Sequence, residues 1–116
     1  MTAAGRVKVK TSPIHGRGVF ALVDMAKGSI VDRGHLLVLP EHEPEEGSLI
    51  GQYVFEFSSR RNCVLLGLVS LCNHDEQPNV EVEIDTETLT YRLIAVRPLR
   101  RGEELLVDYG SDYWQE

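Results

Sequence analysis

The chain has 116 residues, of which 42% are hydrophobic and 26% charged, with 18 acidic against 12 lysine and arginine side chains and a net charge of -6. That suffices for one domain with one core, is too short for a catalytic domain plus a separate binding module, and excludes both a fibrous repeat and wholesale disorder. The acidic balance argues against non-specific nucleic-acid binding, which needs a basic surface, and suits either a basic partner or plain solubility.

In chain order, residues 7–10 alternate valine with lysine, the pattern of a short strand with one buried face, ended by Ser12-Pro13. Gly16, Gly18 and Gly28 punctuate the next stretch: residues 19–22 read as a second strand, and residues 29–32 as a third after the Lys27-Gly28 turn. Residues 36–39 form a continuous apolar run. Residues 40–47 are acidic and rich in breakers, hence a loop. Residues 49–58 fit a helical turn leading into a strand, although periodicity alone does not decide it. Residues 64–69 are apolar enough for burial on both faces. Residues 80–84 and 89–96 read as a hairpin joined by Asp85-Thr86-Glu87-Thr88, and residues 105–107 as a last short strand. Many short strands and little convincing helix predict a mainly β domain.

No apolar run approaches the length of a membrane span. Residues 1–5 lack a basic start followed by an apolar stretch, so no signal peptide is predicted and a soluble, intracellular protein is expected. Cys63 and Cys72 fit a reducing compartment, with a single bridge left open, and neither belongs to a Cys-x-x-Cys pair, so no metal site is expected.

Three stretches hold the candidate chemistry. Gly16-Arg17-Gly18 is a turn where glycine lets the backbone approach a ligand, but Val19-Phe20-Ala21 after it excludes the dinucleotide fingerprint, which opens a helix. Asn73-His74 sits where the chain leaves the core before Pro78-Asn79. Its side chains serve either local backbone groups or a ligand. Consecutive side chains of His74-Asp75-Glu76 point to opposite sides of an extended chain, which disfavours a metal. Tyr109 ends a short apolar strand beside Gly110, a position that can aim a hydroxyl into a cleft.

Taken in order, Gly16-Arg17-Gly18-Val19-Phe20-Ala21, Asn73-His74-Asp75-Glu76-Gln77-Pro78-Asn79 and Gly102-Glu103-Glu104-Leu105-Leu106-Val107-Asp108-Tyr109-Gly110 resemble the motif set of SET-domain protein lysine methyltransferases. The resemblance spans roughly residues 7–114 and looks closest to compact viral and bacterial members. It implies a β-clip of small sheets with a C-terminal pseudoknot, in one domain over 1–116 with residues 40–62 as a variable insertion. It also implies S-adenosyl-L-methionine as cofactor, held by Gly16, Arg17, Gly18, Tyr53, Asn73, His74, Tyr109 and Trp114. Tyr109 would be catalytic, and Tyr53, Val107 and Tyr109 would line the lysine channel. Asp75 stands where many members have serine, and Glu76-Gln77 replaces a more usual Cys-x pair.

Such chemistry has a clear physical demand. A free lysine, with a pKa near ~10.4, is charged at neutral pH and has no lone pair to attack a sulfonium methyl. An apolar channel ending in a tyrosine hydroxyl favours the neutral amine and aligns it in line. The Cys-rich tail of larger members is absent, so Tyr113-Trp114, a second subunit or the substrate must complete the wall. Trp114 would stack near the adenine or else anchor the terminus. Val107 would leave room for several methyl groups or else face the core, and Tyr53 divides similarly between site and core strand. Expected partners are a protein with an exposed lysine, a basic tail such as a histone among them, and a second copy in a homodimer. The expected location is cytoplasmic, or nuclear for a histone substrate. A SET-like module that binds without turnover is the competing reading.

Overall fold

Short alternating segments separated by glycine turns can bury one face each only by stacking as several small sheets, and the chain folds that way. The computed structural model describes residues 6–45 and 47–108. Strands β1 (Val7–Thr11) and β2 (Arg17–Ala21) form an antiparallel pair with Val9 opposite Val19. β3 (Ile30–Val38) is the centre of a five-stranded antiparallel sheet with β4 (Val54–Glu56), β5 (Asn62–Leu65), β7 (Val80–Asp85) and β8 (Thr90–Ala95), in the order β4-β5-β3-β8-β7. β6 (Asn73–His74) and β9 (Leu106–Val107) make a two-stranded parallel ribbon. Two 3-10 turns, η1 (Ile50–Tyr53) and η2 (Leu68–Leu71), precede β4 and β6. No helix among the described residues is long and apolar enough to cross a membrane.

Three readings of the sequence need correction. Residues 29–32 and 36–39 are not separate segments but parts of one nine-residue strand, because a bulge between Ile30 and Asp32 restores the register against β8. The bulge also turns Val31 and Asp32 inward together, which strict alternation forbids. Asp32 is satisfied there by the Tyr91 hydroxyl, which donates to its Oδ2 at 2.9 Å. Residues 64–69 do not run buried on both faces: β5 stops at Leu65, Leu66 points outward, and the chain turns at Gly67 into η2. Glycine is required at that turn, since a Cβ on Gly67 would lie 2.0 Å from the Tyr91 hydroxyl. Lastly, Arg17 and Gly18 already belong to β2, and only Gly16, with a φ of 48°, forms the turn proper.

The hairpin β7–β8 closes as its sequence predicts. Asp85 Oδ1 accepts the N–H groups of Glu87 (2.9 Å) and Thr88 (3.1 Å), a turn that also holds its carboxyl below the usual range. Residues 40–62 contribute η1 and β4 to the sheet edge. The main core gathers Val19, Val31, Leu65, Tyr91, Leu93, Leu105 and Val107 between the sheets. Cys63 and Cys72 are both buried, and no disulfide joins them.

The last described segment stitches the small sheets together. Gly102 N–H donates to Ala21 O, Ala21 N–H to Glu103 O and Leu105 N–H to Val19 O, so residues 102–105 run along β2. The chain then enters β9 beside β6, with Leu106 opposite Asn73 and Val107 opposite His74. This crossing from β2 to β6 joins two of the small sheets through residues 102–107.

Candidate active site

The parallel pairing of β6 with β9 puts Asn73-His74 next to the strand that leads directly into Asp108 and Tyr109. Asn73 then bridges to the first hairpin. Its Nδ2 donates to the carbonyl oxygens of His15 and Arg17, both at 3.2 Å, and to Glu104 Oε2 at 2.8 Å. Three acceptors around one atom fix it as the amide nitrogen and send Oδ1 the opposite way. Among the described residues no donor reaches that Oδ1.

Glu104 sits at the centre of the cluster. Ser12 Oγ donates to its two carboxylate oxygens at 2.9 and 3.0 Å, and the same Oγ accepts the Ile14 N–H at 2.9 Å. Ser12 is 8% exposed, so the glycine turn closes over a polar but satisfied interior. A Cβ on Gly18 would lie 2.2 Å from Glu104 Oε2, which makes the second glycine of Gly16-Arg17-Gly18 a matter of close approach. Gly16 is different: a Cβ there would meet nothing within 4 Å among the described residues, so its positive φ, not crowding, calls for glycine.

Asn79 splints the C-terminal crossing from the other side. The side chain is 1% exposed; Nδ2 donates to Glu104 O at 2.8 Å and Oδ1 accepts Leu106 N–H at 2.7 Å, while its backbone N–H donates to Leu106 O. His74 Nδ1 lies 3.8 Å from Asp108 Oδ1, and Asp75 N–H donates to Val107 O. Asp108 is thus tied to β6 through its side chain, and Val107 before it through the backbone.

Of the residues singled out in the sequence, Gly16, Arg17, Gly18 and Asn73 come together through the Asn73 amide, and His74 joins them on β6. Tyr53 ends η1, half-buried at the edge of the large sheet, and no hydrogen bond among the described residues joins it to Asn73. Val107, expected along the lysine channel, is 1% exposed and packs in the main core, the other position considered for it. Tyr109, Tyr113 and Trp114 lie outside the described residues. Ser12, Asn79 and Glu104 join the site without having stood out in the sequence. Pro78-Asn79 and Glu103-Glu104 mark their neighbourhood there, but single polar residues give no local sign of a partner some ninety positions away.

Burial pushes the Cys63 thiol up to about 11 and the Cys72 thiol higher still, the latter helped by the nearby Asp32 and Glu104 charges. Neither thiol is a nucleophile at neutral pH. Among the described residues no three His, Cys, Asp or Glu side chains converge as a metal site.

A mainly β architecture of small sheets, with an Asn-His strand laid parallel to the strand that precedes an Asp-Tyr-Gly sequence, defines a particular class of fold. The family model for the SET domain matches residues 16–110. A histone-lysine N-methyltransferase of Schizosaccharomyces pombe described as H3 lysine-37 specific is 29% identical over 96% of this chain and 82% of its own length. The histone-lysine N-methyltransferase SET9 of Gibberella zeae is 30% identical over 70% of this chain, but this chain spans only 12% of that protein. The fold also superposes with a TM-score of 0.76 on the crystal structure of a Plasmodium falciparum protein assigned as a histone methyltransferase, covering 96% of this chain and 97% of that one at 24% identity. The chain belongs to the SET-domain family, and its activity is methyl transfer to a protein lysine.

The family implies a methyl donor, and the residues present fit one. An exposed glycine turn with open space at Gly16 is held to the Asn73 amide nitrogen, and the same amide's carbonyl oxygen is left without a donor by the described residues.

Proposed function

We infer that the chain transfers a methyl group from S-adenosyl-L-methionine to a lysine in an exposed basic segment of a protein, a histone tail being the substrate the relatives suggest. The observation that carries this reading is the Asn73 amide, whose nitrogen is fixed by three acceptors, two of them carbonyls of the glycine turn, and whose Oδ1 meets no donor among the described residues. Gly16, Arg17, Gly18, Asn73 and His74 would hold the donor, with Tyr53 and Trp114 at its borders. When bound, the donor supplies an electrophilic methyl group on a sulfonium. The protein's own contribution is orientation and desolvation. Tyr109, two positions beyond β9 in the chain, would position the amine through its hydroxyl, and an apolar channel would favour the neutral form that has a lone pair. An acidic surface suits a lysine-rich substrate.

The test is incubation with labelled S-adenosyl-L-methionine and a panel of histones and basic peptides, followed by mass spectrometry of the modified site. Tyr109→Phe should keep donor affinity while lowering turnover on the order of 10²-fold or more, as for a positioned polar group in catalysis. Equal turnover by the variant would remove Tyr109 from this role. The rate should climb from pH 6 to pH 9 as the amine loses its proton, and a flat profile would mean deprotonation does not limit it.

A further inference from the structure

Glu104 carries a charge that its surroundings do not answer. The carboxylate is held by the Ser12 hydroxyl and the Asn73 amide, both neutral, and no arginine, lysine or histidine among the described residues pairs with it. Its neighbour Glu103, by contrast, is paired with Arg97 at 2.7 Å. Polar groups that serve only to tie two loops together do not need a net charge. A neutral amide in the same place would accept the Asn73 Nδ2–H equally well and donate to Ser12, whose hydroxyl can accept in turn.

The charge has a definite direction. Glu104 Oε2 is the nearest of the three acceptors on Asn73 Nδ2, and the amide it polarises presents Oδ1 on its far side, away from the carboxylate and from the His15 and Arg17 carbonyls. A cation at Oδ1 would be one amide group away from the carboxylate. It would also face a carbonyl whose dipole the carboxylate strengthens, since hydrogen bonds in series polarise one another. The chemistry that suits such a position is an ammonium group.

We propose that Glu104 is the counter-charge for the α-ammonium of the methyl donor, acting through Asn73 as a positioning and specificity-determining residue. This rests on the proposed placement of the donor at Asn73 and the glycine turn. Ser12 holds the carboxylate in line, and Gly18, lacking a side chain, lets it lie against β2. Glu104 does not touch the donor, and its contribution is confined to ligands that carry the amine.

The experiment is calorimetric titration of two ligands, S-adenosyl-L-homocysteine and its analogue lacking the α-amino group, into wild type, Glu104→Gln and Ser12→Ala. Glu104→Gln keeps shape and hydrogen bonds and removes only the charge. It should weaken the amine-bearing ligand about tenfold, equivalent to about 1.4 kcal/mol, a size expected for one charge near a protein surface. It should leave the analogue unchanged. Ser12→Ala keeps the charge but removes the hydroxyl that aligns it, so it should weaken the amine-bearing ligand more than the analogue, by less than Glu104→Gln does. A merely structural role would shift both ligands together in Glu104→Gln, and that result, or no shift in either, overturns the proposal. So does loss of folding in this isosteric variant, which would make the carboxylate structural. If wild type itself fails to bind S-adenosyl-L-homocysteine, the donor site is wrong and the role of Glu104 falls with it, a result separate from the variant's.

Discussion

Asn79 is the residue whose removal should cost this fold most for the fewest atoms. Its side chain occupies the place of a strand partner: Nδ2 answers Glu104 O, and Oδ1 answers Leu106 N–H, where the C-terminal segment passes from β2 to β6. Asn79→Ala removes both partners at once in a site that is 1% exposed. A buried donor or acceptor left unsatisfied costs roughly 1–3 kcal/mol, so two of them cost about 2–6 kcal/mol. Domains of this size have roughly 5–15 kcal/mol in total. With an m-value of about 2 kcal/mol/M, a loss of about 3 kcal/mol moves the urea midpoint by about 1.5 M. Unfolding followed by circular dichroism reads this directly, and amide hydrogen exchange at Leu106 should accelerate beyond the global change, because its acceptor is gone. Asn79→Asp keeps an acceptor for Leu106 N–H but sets a carboxylate against Glu104 O, so it should recover less than half of the loss. A midpoint shift under about 0.3 M for Asn79→Ala, corresponding to roughly 0.6 kcal/mol, would refute the reasoning, since water or backbone rearrangement would then be satisfying both groups.

The other expectations are more local. Gly18→Ala forces a Cβ to within 2.2 Å of Glu104 Oε2 unless that side chain swings away, so it should lower affinity for S-adenosyl-L-homocysteine, whereas Gly28→Ala, which has open space but a φ of 88°, should cost stability alone; titration and thermal melts separate the two. The Cys63 thiol is raised to about 11 in the fold and is ordinary when unfolded, so the folded state binds the extra proton. Its contribution is therefore complete below about pH 9 and lost as pH rises toward 11, which stability curves between pH 8 and 11 will register along with slow thiol alkylation at pH 8. Val107→Tyr overpacks a core position and should cost about 1–3 kcal/mol. If the same residue also borders the lysine channel, products should shift toward monomethyl-lysine, and unchanged product spectra in a folded variant would leave Val107 a core residue only.

Much of the architecture was legible because it is written locally. Alternation over residues 7–11, the Asp85-Thr86-Glu87-Thr88 turn and the short apolar 106–107 segment each fix their own backbone, through side-chain period or through side-chain-to-backbone hydrogen bonds within a few residues. The ordered Gly16-Arg17-Gly18, Asn73-His74 and Asp108-Tyr109-Gly110 motifs pointed to the family for the same reason, since motifs are local. What the tertiary structure alone decided is long-range. A bulge at Ile30/Asp32 merged two apparent segments, because its reason is the register of β8 and the Tyr91 hydroxyl waiting for Asp32 59 positions away. Glu104 reads as one more surface carboxylate in Gly102-Glu103-Glu104 until Ser12, 92 positions earlier, and Asn73, 31 earlier, are brought to it. A hydrogen bond across such separations leaves no periodicity in the chain. Closing those loops costs entropy that no single contact recovers, and only the cooperative packing of the three sheets brings Ser12, Asn73, Asn79 and Glu104 together.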